Sequence, residues 1–281
     1  MDTQVFLAIL AAAAMHAGWN AILKIRLDRL LGITLVAGFA ALVSLPLLPF
    51  VDVPAVAAWP WLAASVILHI GYNLFLTKAY DAGDLGQVYP IARGSAPLVT
   101  AIVGFLFVGE ALSPPAVVGV CVLVAGVWFM SAYGGSGLPS LGGNAVVLAL
   151  ITSLFISAYS ISDGLGARIG GTAHGYTLWL FVIDGVVMVL LAIAMRGQGG
   201  IIQAVRHWRS GLIAGCLSLG AYWIVIWAMT KVPIALAAAL RESSVLFAAI
   251  ISVTLLGEPL RLTRSLAAVL ILAGILLLRL G

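Results

Sequence analysis

Apolar residues in this chain come in long, unbroken runs, separated by short clusters of glycine, proline and charged residues. A run of about 20 apolar residues is long enough for a helix to cross a membrane. The runs do not alternate between apolar and polar positions, which argues against the strands of a β-barrel. The pattern predicts ten transmembrane helices, near residues 4–23, 30–50, 58–79, 86–108, 114–133, 144–163, 174–195, 210–229, 233–256 and 262–280.

The composition agrees with an all-α integral membrane protein. Of the 281 residues, 63% are hydrophobic and only 9% are charged, whereas an ordinary soluble domain has about 25% charged residues. Ten spans of about 20 residues leave roughly 80 for loops and tails, too few for a soluble domain. The N-terminus has no basic segment before its apolar run, so we expect a retained first helix. Cys121 and Cys216 both lie in apolar runs, which does not indicate a disulfide framework.

The two halves of the chain match each other when the sequence is shifted by 148 positions without a gap. Charged and glycine positions are among the identities, so the match does not depend on apolar residues alone, and we predict an internal duplication. The matching pairs are Arg93 with Arg241, Ser95 with Ser243, Leu98 with Leu246, Ala101-Ile102 with Ala249-Ile250, Gly109-Glu110 with Gly257-Glu258, Leu112 with Leu260, and Ala125-Gly126 with Ala273-Gly274.

Each half holds five predicted helices, and a glycine-rich stretch divides the halves. We place the first repeat at residues 1–133, the linker at 134–143 and the second repeat at 144–281. Because five is an odd number, the second repeat enters the membrane from the opposite side. Inverted repeats of this kind are common in secondary transporters, where the substrate binds near the midplane between the halves.

This doubled pattern resembles the drug/metabolite transporter superfamily, and within it the EamA-type branch. The resemblance rests on ten helices in two halves and on Gly109-Glu110 and Gly257-Glu258, each followed by an Ala-Gly pair in the next helix. It covers essentially the whole chain. The chain's size and its intramembrane aromatic and basic residues are also similar to those of YddG-type amino acid exporters. The resemblance implies a central cavity lined mainly by the third, fourth, eighth and ninth helices, with the first and sixth beside them.

The same helices carry most of the polar residues found inside the predicted spans. A charged side chain at membrane depth must face a protein interior or an aqueous cavity. The fifth and tenth helices are nearly pure Val, Leu, Ala and Gly, so we expect them to face lipid or to support a dimer. We predict that the substrate-binding residues are Trp19, His69, Tyr72, Lys78, Tyr89, Arg93, Tyr222, Trp223, Arg241 and Ser244.

Two arginines and one glutamate are central to the predicted site. Arg93 and Arg241 could each form paired hydrogen bonds with a substrate carboxylate. They could equally pair with Glu242 or with backbone carbonyls that the prolines of the fourth helix leave without donors. Glu242 has no counterpart in the first repeat, where Gly94 stands at the equivalent position. It could carry a proton for coupled transport, or it could neutralise an arginine.

The aromatic residues in these spans have two possible uses. Tyr72, Tyr89, Tyr222 and Trp223 could stack on an aromatic or apolar substrate side chain, or they could serve helix packing alone. Trp19 lies near the end of the first span, where a tryptophan could line the cavity or belong to an aromatic belt at the membrane interface.

The sequence carries no signature of an enzyme or of a metal site. A P-loop, G-x-S-x-G and H-E-x-x-H are all absent from it. His16 and His69 could belong to a proton relay or could be packing residues, and no neighbouring cysteine or carboxylate spacing supports a metal. Asp163 and Asp184 lie in predicted spans without a motif around them. We therefore expect a protein that is not an enzyme and that needs neither a cofactor nor a metal.

These observations favour a secondary transporter that exports a small metabolite by alternating access through a central cavity. The favoured substrate is an amino acid with an aromatic or other apolar side chain. The alternative is export of another small metabolite or a cationic drug by proton antiport, and a channel or an intramembrane enzyme is a minor alternative. We expect a multi-pass protein of the inner (plasma) membrane, monomeric or weakly dimeric, whose partners are the substrate and the lipid bilayer and not nucleic acid.

Loop charges and the resemblance disagree about the orientation in the membrane. The loops after the odd-numbered helices, with their flanks, carry nine lysines and arginines, against three on the other side. Positive residues concentrate in cytoplasmic loops, so this count places both termini outside the cytoplasm. The resemblance implies both termini inside it, and the sequence leaves the two orientations open.

Overall fold

The computed structural model describes residues 1–22, 27–83, 85–134, 143–255 and 262–281, and these residues are almost entirely helical. The described residues form eleven α-helices: α1 (Thr3–Ile22), α2 (Arg29–Ser44), α3 (Trp59–Ala82), α4 (Leu85–Val103), α5 (Pro114–Gly134), α6 (Gly143–Ile169), α7 (Ala173–Val205), α8 (Trp208–Met229), α9 (Ile234–Arg241), α10 (Ser244–Leu255) and α11 (Leu262–Leu280).

Ten membrane spans are built from these helices. Nine segments of the described chain are long and apolar enough to cross a membrane, and α5, with 21 residues, forms the tenth span. The ninth span, Ile234–Thr254, combines α9 and α10. The prediction of an all-α integral membrane protein with ten transmembrane helices is confirmed.

The packing of the helices follows the internal duplication. In the second half, α6 corresponds to α1, α8 to α3, and α9 with α10 to α4. The contact of α3 with α6 is therefore equivalent to the contact of α8 with α1, and the contact of α4 with α6 is equivalent to the contacts of α9 and α10 with α1. Two further pairs, α2 with α7 and α5 with α11, each join equivalent helices of the two halves. Exchanging the halves therefore reproduces the main contacts, as expected for two inverted five-helix repeats.

Two predicted helices continue beyond the ends that the sequence predicts. The sixth helix does not end near 163 but continues to Ile169. Gly164 within it lies where a Cβ atom would come within 2.6 Å of the Ile234 side chain, so this glycine allows close packing instead of ending the helix. The seventh helix bends at Gly197, whose φ of 71° favours glycine, and then continues to Val205.

Some predicted features lie outside the described residues. They include most of the 134–143 linker, together with Lys24 and Arg26 of the first loop and the Gly257-Glu258 pair. The division into 1–133 and 144–281 stays a prediction, as does the orientation inferred from loop charges.

Helices α5 and α11 pack against each other through glycines. A Cβ atom at Gly274 would lie 2.6 Å from the backbone nitrogen of Leu123, and one at Gly126 would lie 2.9 Å from that of Ile271. Small residues let the backbones of membrane helices approach closely, which gives the packing its van der Waals contact. These two apolar helices thus hold the halves together within one chain.

We predict that Gly274→Ala destabilises the protein by about 1–3 kcal/mol, because the added methyl group meets backbone atoms that cannot move aside cheaply. Thermal unfolding in detergent measures the effect. The matched control is Gly199→Ala, since nothing lies within 4 Å of a Cβ atom at that position. Equal unfolding temperatures for the two variants would contradict the close packing of α5 on α11.

Candidate functional site

A cavity lies between the two halves of the bundle. The space between protein atoms amounts to about 870 Å³ when the open mouth is included. The helices α1, α3, α4, α6, α8 and α9 contribute to its wall, and so do α2 and α7, which the sequence did not single out. The lining residues are His16, Trp19, Ile33, Val36, Ala37, His69, Tyr72, Asn73, Arg93, Tyr159, Leu180, Phe181, Asp184, Ser218, Ala221, Tyr222 and Arg241.

Six of the residues predicted from the sequence line this cavity together. They are Trp19, His69, Tyr72, Arg93, Tyr222 and Arg241. They come from five helices and from both halves of the chain.

The other four predicted residues do not belong to the described wall. Lys78 is exposed near the end of α3, with its Nζ 5.6 Å from the Phe75 ring centre, as expected for a lysine that reaches out of its span. Trp223 is not among the lining residues, and it donates a hydrogen bond from Nε1 to His174 Nδ1 at 2.8 Å. Ser244 is buried at the start of α10. Tyr89 lies in α4, but its side chain is outside the described part of the chain.

Arg93 and Glu242 form a buried ion pair across the two halves. Arg93 Nη2 lies 3.0 Å from Glu242 Oε1, and Arg93 Nε lies 3.3 Å from Oε2. The side chains are only 3% and 2% exposed. Of the two uses considered for Glu242, this geometry favours neutralisation of an arginine.

The ninth span is interrupted where it carries this glutamate. Between α9 and α10, the backbone N–H groups of Glu242 and Ser243 bond to carbonyls three residues back, at 3.0 Å each. A short 3₁₀ segment inside a longer helix often marks a functional hinge. The interruption coincides with four consecutive polar residues, Arg241 to Ser244, at the middle of a largely apolar span.

Arg241 differs from Arg93 because no carboxylate among the described residues lies within hydrogen-bonding distance of it. Its Nη2 donates to the hydroxyl of Tyr159 at 3.2 Å, and its guanidinium lies 5.4 Å from the Tyr222 ring centre. Its Nε is 4.0 Å from Glu242 Oε1 and forms no hydrogen bond within the described residues. Two arginines therefore share one glutamate here, which leaves this part of the wall positive.

His16 adds a second buried donor to the same region. Its Nδ1 accepts a hydrogen bond from Trp19 Nε1 at 3.2 Å, so the ring proton of the neutral imidazole lies on Nε2. That Nε2 group is buried and has no hydrogen-bond partner among the described residues. Both arginines lie close enough to His16 to interact with it electrostatically.

Aromatic rings cover the middle of the cavity. His69 stacks on Tyr159 with ring centres 4.1 Å apart, and Tyr72 meets the same ring edge-on at 5.8 Å. Tyr222 lies edge-on to Phe181 at 6.2 Å. Such rings offer a broad apolar surface to a ligand side chain.

Two aspartates in the spans, which no sequence motif surrounds, lie beside these rings. Asp163 is fully buried and accepts hydrogen bonds from Tyr176 at 3.1 Å and from Tyr222 at 2.5 Å, so it fixes the position of Tyr222. Asp184 lines the cavity itself, and its Oδ1 is buried without a hydrogen-bond partner in the described chain. An intramembrane carboxylate is by itself a signal of function, and that signal was available in the sequence.

The cavity extends toward one end of the bundle. Its lining residues in α1 and α2, among them His16 and Trp19, lie in the parts of these helices next to the α1–α2 connection. The opposite end, on the side of the chain termini, is filled by apolar packing between α3, α6, α7 and α8. The buried residues of that packing are Ala58, Leu62, Val66, Ala167, Tyr176, Leu180 and Ile226.

An ion pair ties the two halves together at the filled end. Glu110, in the α4–α5 connection, lies 2.6 Å from Arg168 Nη1 and accepts the backbone N–H of Ile234 at 2.8 Å. Arg168 also donates to the carbonyls of Met229 and Val232, at 2.8 and 3.0 Å. We call this group of contacts the Glu110–Arg168 latch.

Comparison with known proteins identifies a family and a shared fold for this chain. Residues 3–132 and 143–280 match the sequence profile of the EamA-like transporter family. A stretch of 70 residues is 36% identical to the multidrug resistance protein EbrB of Bacillus subtilis (strain 168). That match covers 25% of this chain and 59% of the relative, so the chain matches less than two thirds of that protein. A crystal structure of another protein superposes on 100% of this chain and 98% of its own, with a TM-score of 0.78 and 18% identity, which shows a shared fold.

Proposed function

Because this chain belongs to the EamA-like transporter family, we propose that it exports an amino acid with an aromatic or other apolar side chain by alternating access. The observation that carries the proposal is the cavity between the halves, where the incompletely neutralised Arg241 faces the same space as several aromatic rings. We place the protein in the inner (plasma) membrane as a multi-pass transporter.

The chemistry of the wall suits a carboxylate attached to an apolar body. Arg241 Nε and His16 Nε2 are buried N–H donors without partners in the described chain, and hydrogen bonds between ionised groups are stronger than neutral ones. Tyr72, Tyr159 and Tyr222 supply the surface against which a side chain would pack. A substrate carboxylate would satisfy the donors and balance the positive charge.

Alternating access requires that the two ends of the cavity open in turn. In this structure the end on the side of the termini is closed by apolar packing and by the Glu110–Arg168 latch. Both components join the first half to the second, so rocking of the halves would have to separate them. The 3₁₀ interruption at Glu242 offers a point where the ninth span can bend.

A second candidate function is export of a cationic drug in exchange for protons. The match to a multidrug resistance protein and the cavity carboxylate Asp184 favour it. The positive charge left by Arg241 disfavours a ligand that carries only positive charge, because the two would repel each other.

Counterflow into proteoliposomes that contain the purified protein tests the proposal. We expect preloaded vesicles to accumulate labelled phenylalanine or leucine without a pH gradient. A quaternary-ammonium dye and a nucleotide sugar serve as alternative substrates, and vesicles without protein serve as the blank. Uptake of the dye driven by a pH gradient, with no amino acid uptake, would replace the proposal with the drug-export function.

The latch gives a further prediction about conformation. In Glu110→Gln the ion pair to Arg168 is lost, so we expect the closed end to open more often. A cysteine at the cavity position Ser218, in a chain whose Cys121 and Cys216 are replaced by serine, reports this opening. A membrane-impermeant thiol reagent added on the side of the termini should label Ser218→Cys faster in the Glu110→Gln background.

The matched control for this measurement is Asp81→Asn, which neutralises an exposed carboxylate at the other end of α3. It should leave the labelling rate unchanged. Equal rates in the Glu110→Gln and Asp81→Asn backgrounds would show that the latch does not hold this end closed.

A further inference from the structure

Three side chains of the cavity wall keep buried polar atoms without hydrogen-bond partners in the described chain. They are His16 Nε2, Arg241 Nε and Asp184 Oδ1. Buried polar atoms in native proteins are nearly always paired, so each exception in a cavity indicates where a ligand or water binds. Two of these atoms donate and the third accepts, which indicates a ligand that carries both an anionic and a cationic group.

Asp184 is the acceptor, and its Oδ1 has no hydrogen-bond partner among the described residues. Among the described residues, no ion pair includes Asp184. His69 and Asp163 lie close enough to affect it electrostatically. However, His69 Nδ1 donates to the Ser65 carbonyl at 2.9 Å, and Asp163 is bonded to the hydroxyls of Tyr176 and Tyr222.

The charges of the wall lead to the same conclusion. Arg93 and Glu242 neutralise each other in a buried pair. Arg241 on α9 and Asp184 on α7 remain as one positive and one negative group that face the same cavity. A ligand that carries one charge of each sign complements both groups and leaves the net charge of the site unchanged.

We propose that Asp184 binds the ammonium group of the substrate, so that the site recognises a zwitterionic α-amino acid by both of its charges. The inference rests on the proposed function, because it assigns a partner to the second charge of the amino acid whose carboxylate meets Arg241. Asp184 then determines specificity: it selects amino acids over carboxylic acids that have the same side chain but no ammonium group. A site that binds both charges also disfavours simple amines, which lack the carboxylate.

Binding of three related compounds to the purified protein in detergent tests the assignment. They are phenylalanine, 3-phenylpropanoate, which lacks the ammonium group, and 2-phenylethylamine, which lacks the carboxylate. Isothermal titration calorimetry is suited to the comparison, because weak acids and amines cross vesicle membranes unaided. For the wild-type protein we expect phenylalanine to bind at least about tenfold more tightly than either analogue, since each lost contact is a charged hydrogen bond.

The variant Asp184→Asn separates the two charges. We expect it to bind phenylalanine at least about tenfold more weakly than the wild type does, with its affinity for 3-phenylpropanoate within about threefold of the wild-type value, because only the ammonium contact is lost. Asp81→Asn, which neutralises an exposed carboxylate outside the cavity, should bind all three compounds as the wild type does.

The outcomes separate this assignment from the proposed function. If Asp184→Asn binds phenylalanine like the wild type, or loses affinity for phenylalanine and 3-phenylpropanoate equally, the assignment of Asp184 is wrong and amino acid transport stands. If the variant does not fold, the wild-type comparison still decides, since equal affinities for phenylalanine and 3-phenylpropanoate would exclude ammonium recognition. A wild-type protein that binds no amino acid would overturn the proposed function and this assignment together.

Discussion

Arg241→Ala is expected to reduce amino acid counterflow by at least about 100-fold while the protein still folds and inserts. Removing one partner of a buried, hydrogen-bonded charge pair typically costs 2–5 kcal/mol of binding, or about 30-fold or more in affinity. The folded state loses much less, because Arg241 leaves no carboxylate stranded: Glu242 keeps its close contact with Arg93 at 3.0 Å. An incompletely neutralised charge at this depth opposes folding, so its presence is best explained by ligand binding.

Two further variants make this result interpretable. Arg241→Lys keeps the charge but loses the planar group that bonds a carboxylate with two parallel N–H groups, so we expect intermediate transport. Arg209→Ala removes an exposed arginine at the start of α8 and should transport like the wild type. Counterflow is measured together with thermal unfolding in detergent. Normal counterflow in Arg241→Ala would remove the arginine from the substrate site.

The ten spans were predictable because the thickness of the bilayer fixes their length and composition. The duplication was predictable because both halves keep arginine, glutamate and glycine at equivalent positions. The presence of Arg93 and Arg241 in the cavity followed from the high free energy of exposing either to lipid. These predictions concern the depth of a residue in the membrane, which follows from its position within an apolar run.

The direction in which a side chain faces around its helix was much harder to predict. Tyr222 and Trp223 lie at almost the same depth, but adjacent residues on a helix point about 100° apart. Tyr222 faces the cavity, whereas Trp223 bonds to His174 on α7. Spans that are apolar on all sides show no hydrophobic stripe from which the inward face could be read.

The sequence also could not predict which side chains pair across the two halves. Glu242 could be expected to neutralise an arginine, but the choice of Arg93 over its direct neighbour Arg241 depends on how α4 packs against α9. Asp184 gives no motif, and only the cavity around it and its unpaired Oδ1 point to ligand binding. In the same way, the interruption between α9 and α10 occurs in a sequence without a proline or glycine at the break.

Arg93→Met is expected to destabilise the protein by about 3–5 kcal/mol, because it leaves the carboxylate of Glu242 buried without its close partner. Glu242 is 2% exposed, and the remaining arginine, Arg241, lies 4.0 Å away. The double variant Arg93→Met/Glu242→Gln should recover most of that loss, since it removes both members of the pair and leaves the net charge of Arg93, Glu242 and Arg241 as it was; replacing a buried pair is often nearly neutral. Thermal unfolding of the wild type, both single variants and the double variant forms a complete cycle. If the double variant is as unstable as Arg93→Met, Arg93 stabilises the fold through contacts other than Glu242, and the ion pair does not explain why an arginine stands at this depth.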